Sequence, residues 1–251
     1  MTPLEAVAVF AAGVGAGSIN AVVGSGSLIT FPTLLALGYP PVVAIVSNNV
    51  GLVPGGVTGV LGYRAELKGQ RGRIVRLGIS SVIGSIIGGL LLLRLPEKAF
   101  EFIVPILIGL ACVLVISQPY LNKWLVKRRQ AAHPHGGPWL RLGVLGAGIY
   151  GGYFAAAQGV VLIGLLGSFL DDNLQRVNAV KNVLTLIVNA SAATMFVFIA
   201  PVDWHAVAVI ALGTMTGGYL GARLGRKLPT GVLRGVVVVV GVAAIVNLLR
   251  G

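Results

Sequence analysis

Between Ala6 and Tyr63 the chain carries no charged side chain. A soluble domain, about a quarter of whose residues are charged, cannot hide a run of that length in one core. Further uncharged runs follow at Leu77–Leu93, Phe102–Asn122, Leu142–Leu170, Asn182–Val202, Ala206–Ala222 and Gly235–Leu249. Most approach the ~20 residues that a helix needs to cross ~30 Å of hydrocarbon. Across the whole chain only 10% of residues are charged, while 56% are hydrophobic, so lipid must solvate much of the surface. The runs lack period-2 alternation, which argues against a membrane β-barrel. The expected class is an all-α polytopic membrane protein.

The net charge of +12 does not indicate nucleic acid. The Lys and Arg residues sit in short loops between apolar spans, as the positive-inside pattern requires, and no soluble region is left to hold a duplex. No basic segment precedes the first apolar stretch, so a cleaved signal peptide is not expected. Cys112 is the single cysteine, which excludes an intramolecular disulfide and a multi-cysteine metal site. No cofactor is expected.

Apolar spans fall near 4–38, 42–63, 74–95, 99–121, 140–170, 176–200, 203–225 and 230–249. The first and fifth are too long for one straight crossing. Each is interrupted near its middle, by Gly24-Ser25-Gly26-Ser27 and by Ala157-Gln158-Gly159. The one substantial linker, 119–141, is basic, with Lys123, Lys127, Arg128, Arg129 and Arg141, and also holds His133 and His135. A Pro/Gly-rich loop accounts for the two histidines without a metal. The linker separates a first membrane repeat, 1–118, from a second, 142–251.

The halves align. Gly13-Val-Gly-Ala-Gly17 precedes the first break as Gly146-Ala-Gly-Ile-Tyr150 precedes the second. Val46-Ser47-Asn48 lies over Val180-Lys181-Asn182, Gly84–Gly89 over Gly213–Gly218, and Leu95-Pro96 over Leu228-Pro229. Charge is reversed between equivalent loops. Arg64, Lys68, Arg71, Arg73 and Arg76 make one loop basic, whereas its counterpart Pro201–His205 has no Lys or Arg. The next loop holds Arg94, Glu97 and Lys98, whereas its counterpart carries Arg223, Arg226 and Lys227. Equivalent loops therefore face opposite sides, the mark of inverted-topology repeats. Inversion needs an odd number of crossings per half. A re-entrant helical hairpin plus three transmembrane helices satisfies it, with both termini extracytoplasmic and the linker cytoplasmic. Eight ordinary helices would leave the basic loop 223–227 outside.

Backbone breaks inside lipid are tolerated only where protein or a water-filled cavity supplies partners. Breaks at corresponding places in two halves mark transporter sites. Free N–H groups at a helix start suit an anion. Gly24 and Gly26 allow close approach, and Ser25 and Ser27 add hydroxyls. Gln158 beside Gly159 is the counterpart; an amide in an apolar run needs a partner, either a substrate oxygen or another helix. Asn20, Asn48 and Asn182 are further polar groups near the breaks, with helix–helix hydrogen bonding as their ordinary role. Lys181, ~12 Å along its helix if that helix begins near Asn173, lies deep enough to attract an anion. No carboxylate lies deep in any span, so a buried Asp/Glu proton relay or carboxylate Na⁺ site is not expected. Nor is an intramembrane enzyme, since no paired aspartates, Ser/His pair or His-Glu-x-x-His helix is present.

Gly17-Ser-Ile-Asn-Ala-Val-Val-Gly-Ser-Gly-Ser-Leu-Ile-Thr-Phe-Pro-Thr-Leu-Leu35, followed by Gly38–Ala44 and Ser47-Asn-Asn49, resembles the TauE/SafE sulfite-exporter family, also called toluene-sulfonate uptake permeases. Tyr150–Gly159 and Gly213–Gly221 fit it too. Here serines stand at 25 and 27 where the family often has glycine. The resemblance implies a bacterial inner-membrane transporter with two similar halves, linked to export of sulfite or sulfoacetate or to uptake of organosulfur anions. The expected function is therefore secondary transport of a small sulfur-containing anion by alternating access, held between tips 24–27 and 157–159. The partners expected are that small anionic substrate and the lipid bilayer, and a homodimer is compatible with this reading. Rival readings are an inward transporter of another solute, an anion channel, and a non-transporting membrane scaffold.

Overall fold

Thr2 starts the first helix with a capping box: its hydroxyl accepts from the Glu5 N–H at 3.3 Å, and the Glu5 carboxylate accepts from the Thr2 N–H at 2.8 Å. The computed structural model describes residues 1–94, 96–127, 137–224 and 230–250. They form ten helices and no strand: α1 (Pro3–Val22), α2 (Ser27–Ala36), α3 (Pro41–Gly62), α4 (Arg71–Arg94), α5 (Glu97–Lys127), α6 (Gly137–Tyr153), α7 (Gln158–Phe169), α8 (Leu174–Ile199), α9 (Trp204–Leu224) and α10 (Thr230–Arg250). The apolar stretches 4–38 and 140–170 each break into two helices, while the other six stretches each form one. α5 runs past Pro119 to Lys127, and α6 begins at Gly137. Arg128, Arg129, His133, His135, Arg226 and Lys227 lie outside the described residues.

Six segments, Pro3–Val22, Pro41–Gly62, Arg71–Arg94, Phe102–Tyr120, Leu174–Ile199 and Trp204–Arg223, are long and apolar enough to cross a membrane. Their outward faces are apolar: Leu4 and Phe198 are each 81% exposed and Phe102 is 74% exposed. Only a lipid solvent makes such a surface stable.

The inward faces are set by small residues. α1 packs parallel to α9, with Gly213 against the Phe10 carbonyl, Gly217 against that of Val14, and Gly221 against that of Ser18. A Cβ on Gly213 would sit 2.6 Å from the Phe10 oxygen, so glycine permits this backbone approach. α4 packs parallel to α6 in the same manner, Gly84 meeting the Leu145 carbonyl and Gly88 that of Ile149. α3 runs parallel to α9, through Gly51 at Ile210 and Gly55 at Thr214, and α5 lies antiparallel to α10, with Cys112 against Gly241.

The two broken stretches turn back on themselves. Gly26 rests on the Ala16 carbonyl and Gly15 faces Ile29, so α2 returns along α1. Gly143 faces Leu165 and Gly151 faces Gln158, so α7 returns along α6. Both are helical hairpins, as expected, rather than kinked single helices.

At one end the α3–α4 loop is docked onto the start of α8. Asp172 bridges Arg73 at 2.9 Å and Arg176 at 2.7 Å, and Arg176 also reaches the Lys68 carbonyl at 3.2 Å. Burial alone pushes the Asp172 carboxyl up, but hydrogen bonds from Arg73, Arg176 and the Asn173 N–H outweigh it and hold it below its usual 3.8. A lowered folded value means stability that is present above the unfolded value and lost as pH falls through the folded one. The thermal midpoint of the purified protein should therefore fall below about pH 4, and Asp172→Asn should flatten that part of the profile. Equal acid sensitivity in both proteins would remove Asp172 from the account.

Candidate functional site

Ending a helix inside the protein strands its last carbonyls and the first N–H groups of the next helix. The structure shows how each is dealt with at the α1–α2 break. The Ile19 carbonyl accepts from the N–H groups of Val23 (2.7 Å) and Gly24 (3.1 Å). The Asn20 carbonyl accepts from Lys181 Nζ at 2.9 Å. The Ala21 carbonyl accepts from both Asn178 Nδ2 (3.1 Å) and Asn182 Nδ2 (3.3 Å). Three side chains at 178, 181 and 182 share one face of α8, because residues three and four apart stack on a helix. Together they cap α1 from a different helix. Lys181 is fully buried, and its cation sits where the helix dipole is negative. Asn178 was not anticipated; its spacing from Lys181 and Asn182 was the available signal.

Gly24 makes the turn with φ +88°, a region closed to most L side chains. The second break is built differently, with Ala155 at φ 62° and Ala157 at φ 56°. Left-handed alanines cost about 1–2 kcal/mol each, and such strain gathers at functional sites.

The two breaks touch. The Gly159 N–H donates to the Gly24 carbonyl at 3.0 Å. A Cβ on Gly24 would lie 2.5 Å from the Gly159 Cα. Hence both tips meet inside the bundle, but with no space between Gly24 and Gly159 for a ligand. No side chain caps α2 or α7 at its start. Gln158 is 1% exposed, and neither its amide nitrogen nor its oxygen has a partner. The Ser25 hydroxyl is buried and also lacks one. Ser27 is buried at the first position of α2. Phe31 and Phe154 close the site edge to face, 5.7 Å apart, with Tyr150 beyond them.

The candidate residues thus divide. Gly24, Ser25, Gly26, Ser27, Gln158 and Gly159 lie in the two tips. Lys181 and Asn182 stand behind the first tip as its caps, Asn20 contributes its carbonyl rather than its side chain, and Asn48 is bonded by the Thr30 hydroxyl of α2 while its Nδ2 stays unpartnered. A separate groove of about 470 Å³ between α3 and α8, lined by Val50, Val53, Pro54, Ala193, Thr194 and Phe198, is apolar and offers an anion nothing. Among the described residues, no group of three His, Cys, Asp or Glu is placed to hold a metal.

Membrane-length helices, with two hairpins whose tips meet inside, define a multi-pass membrane protein of the transporter class. The Sulfite exporter TauE/SafE family model matches residues 9–248, and the chain belongs to that family. A probable membrane transporter protein of Haemophilus influenzae is 27% identical over 222 residues, covering 87% of this chain and 83% of its own. The probable membrane transporter protein YfcA of Escherichia coli K12 is 24% identical over 250 residues, covering 99% and 91%. No solved structure matches the chain.

Proposed function

We propose that this membrane transporter carries a small sulfur oxyanion, sulfite or an organosulfonate, by alternating access, and that export is its direction. The observation that carries the reading is the Gln158 amide: buried, unpartnered at both atoms, and placed at the start of α7 against Gly151 of its own hairpin, next to the Gly159 that meets the other tip. An oxyanion accepts hydrogen bonds from amide, hydroxyl and helix-start N–H donors. Ser25, Ser27, Gln158 and the backbone at Gly24, Gly26 and Gly159 are the donors and the room for it. Asn20, Asn48, Asn182 and Lys181 form the shell behind them. The tips are closed on each other here, so they part to admit the ion.

An inverted repeat would supply the two halves this mechanism needs. The segments aligned from sequence have like neighbours: Gly213 and Gly217 of α9 pack on α1, and Gly84 and Gly88 of α4 pack on α6. The halves, 1–118 and 142–251, would rock about the tips. The membrane is the bacterial inner membrane, with the end bearing Arg64, Lys68, Arg73 and Arg176 in the cytoplasm. From a negative interior an anion gains about 2.3 kcal/mol per charge per 100 mV on leaving, which favours export.

Gln158→Leu tests the site. It removes an amide that bonds to nothing else in the described protein, so thermal stability is kept. Losing one hydrogen bond to a charged ligand, worth about 1.5–3 kcal/mol, should lower sulfite flux into proteoliposomes roughly 10- to 100-fold. Unchanged flux would remove Gln158 from the site.

A further inference from the structure

The cap residues of α8 are the first part of a longer stripe. Asn178, Lys181, Asn182, Thr185 and Asn189 recur at three- and four-residue intervals, so they share one face over ~16 Å of helix. All five are buried, none more than 7% exposed. A buried polar face of this length within a membrane-length helix is costly unless it meets water or a ligand. Capping α1 uses Nδ2 of Asn178 and Asn182 and Nζ of Lys181. Asn178 Oδ1, Thr185 Oγ1 and Asn189 Oδ1 have no partner.

The neighbouring helix continues the pattern. Ser85 Oγ of α4 donates to the Val188 carbonyl at 2.7 Å. Gly89, one turn on, meets Met195 and Phe196, so α4 and α8 run parallel. One turn back, Ser81 therefore lies beside the Leu184–Thr185 turn. Its hydroxyl is buried and unpartnered. The seam reaches both ends of a path. Its upper end joins the second tip, because Gly152 packs on Ser85 while the adjacent Gly151 packs on Gln158. Its lower end is at Asn178, one turn from the docked Arg73–Asp172–Arg176 cluster.

The corresponding seam in the other half is sealed. At the places aligned with Thr185 and Asn189, α3 has Gly51 and Gly55, which press on Ile210 and Thr214 of α9. The Thr214 hydroxyl there is satisfied by the Gly51 carbonyl at 2.9 Å. One half is thus close-packed, and the other is polar with spare oxygens.

We propose that the α4–α8 seam is the route by which the anion passes between the tips and the basic end of the protein. Ser81, Thr185, Asn189 and Asn178 line it, and Lys181 supplies its positive charge. The Ser81 and Thr185 hydroxyls can donate to an oxyanion, while the spare Asn178 and Asn189 oxygens accept from the water that accompanies it. Among the described residues Lys181 is the one buried charge, so the route selects anions over cations. The seam is closed here and opens as the halves rock. This inference rests on the tips being the transport site.

The test reads access without measuring transport. In a Cys112→Ala background, Ser81→Cys, Thr185→Cys and Asn189→Cys are each exposed to two membrane-impermeant thiosulfonates of similar size, one ending in ethylsulfonate and one in ethyltrimethylammonium. Vesicles of both orientations are used, with Ala65→Cys on the basic loop as the exposed reference. The route predicts modification from the basic end. Relative to Ala65→Cys, the sulfonate should be favoured about tenfold, and Lys181→Met should erase that preference. Modification only from the other end, no modification while Ala65→Cys reacts, or no preference for the sulfonate would overturn it. Ser81→Cys and Thr185→Cys are nearly isosteric, and elution as a single species establishes that each is folded. A protein that passes this test but carries no sulfite would keep the route and lose the sulfur-anion reading.

Discussion

Gly24→Ala should abolish transport and destabilise the protein by roughly 2–5 kcal/mol. Two costs combine. The backbone at 24 has φ +88°, where an L side chain costs about 1–2 kcal/mol. The new methyl would also lie 2.5 Å from the Gly159 Cα and 2.9 Å from its carbonyl carbon, both backbone atoms that cannot swing aside. Overpacking of this kind costs about 1–3 kcal/mol. The methyl wedges the tips apart at the hydrogen bond between the Gly159 N–H and the Gly24 carbonyl, so the closed arrangement is lost. Gly159→Ala meets the same clash without the turn penalty, and its loss should be the smaller. Thermal midpoints of the purified variants and sulfite flux check both statements. A Gly24→Ala protein with the parent's midpoint and flux would show that the tips need not touch.

Lys181→Met separates function from fold. Methionine nearly matches the lysine stem in volume, and removing a buried cation removes its desolvation cost. The Asn20 carbonyl loses a partner, but the adjacent Ala21 carbonyl keeps both asparagines. Stability should therefore change by less than about 2 kcal/mol. Flux should fall roughly 100-fold, as losing a charge-assisted contact of about 3 kcal/mol would require. Lys181→Arg should not rescue it. The Lys181 Cδ already lies 3.3 Å from where a Cβ on Gly24 would be, and a planar fork needs more width. A Lys181→Met protein that transports normally would reduce Lys181 to a helix cap.

The helices and the first break were legible because their signals are local. Uncharged runs bounded by Arg64, Arg94 and Asp171 mark the spans, and Gly24-Ser-Gly-Ser27 marks a turn that helix propensity disfavours. The second break was legible only through Gln158. Ala155, Ala156 and Ala157 are strong helix formers, and tertiary packing places two of them in left-handed backbone against that propensity. The direct contact of Gly24 with Gly159 could not be read from either segment, since it depends on how the hairpins dock. Lys181 was legible as a deep charge, but its bond to the Asn20 carbonyl was not, because the stranded carbonyls of α1 appear only once the break is placed. Asn178, Thr185 and Asn189 do share a helical face with Lys181 in the sequence. What sets them apart from ordinary interhelical asparagines and threonines is that their oxygens stay unpartnered.

The most direct measurement of the central claim is counterflow. Proteoliposomes loaded with unlabelled sulfite are diluted into a trace of labelled sulfite. An alternating-access carrier predicts transient uptake of label above its equilibrium level, saturable in sulfite and slowed roughly 10- to 100-fold by Gln158→Leu. Uptake that never exceeds equilibrium and rises linearly with concentration would contradict a carrier for this anion.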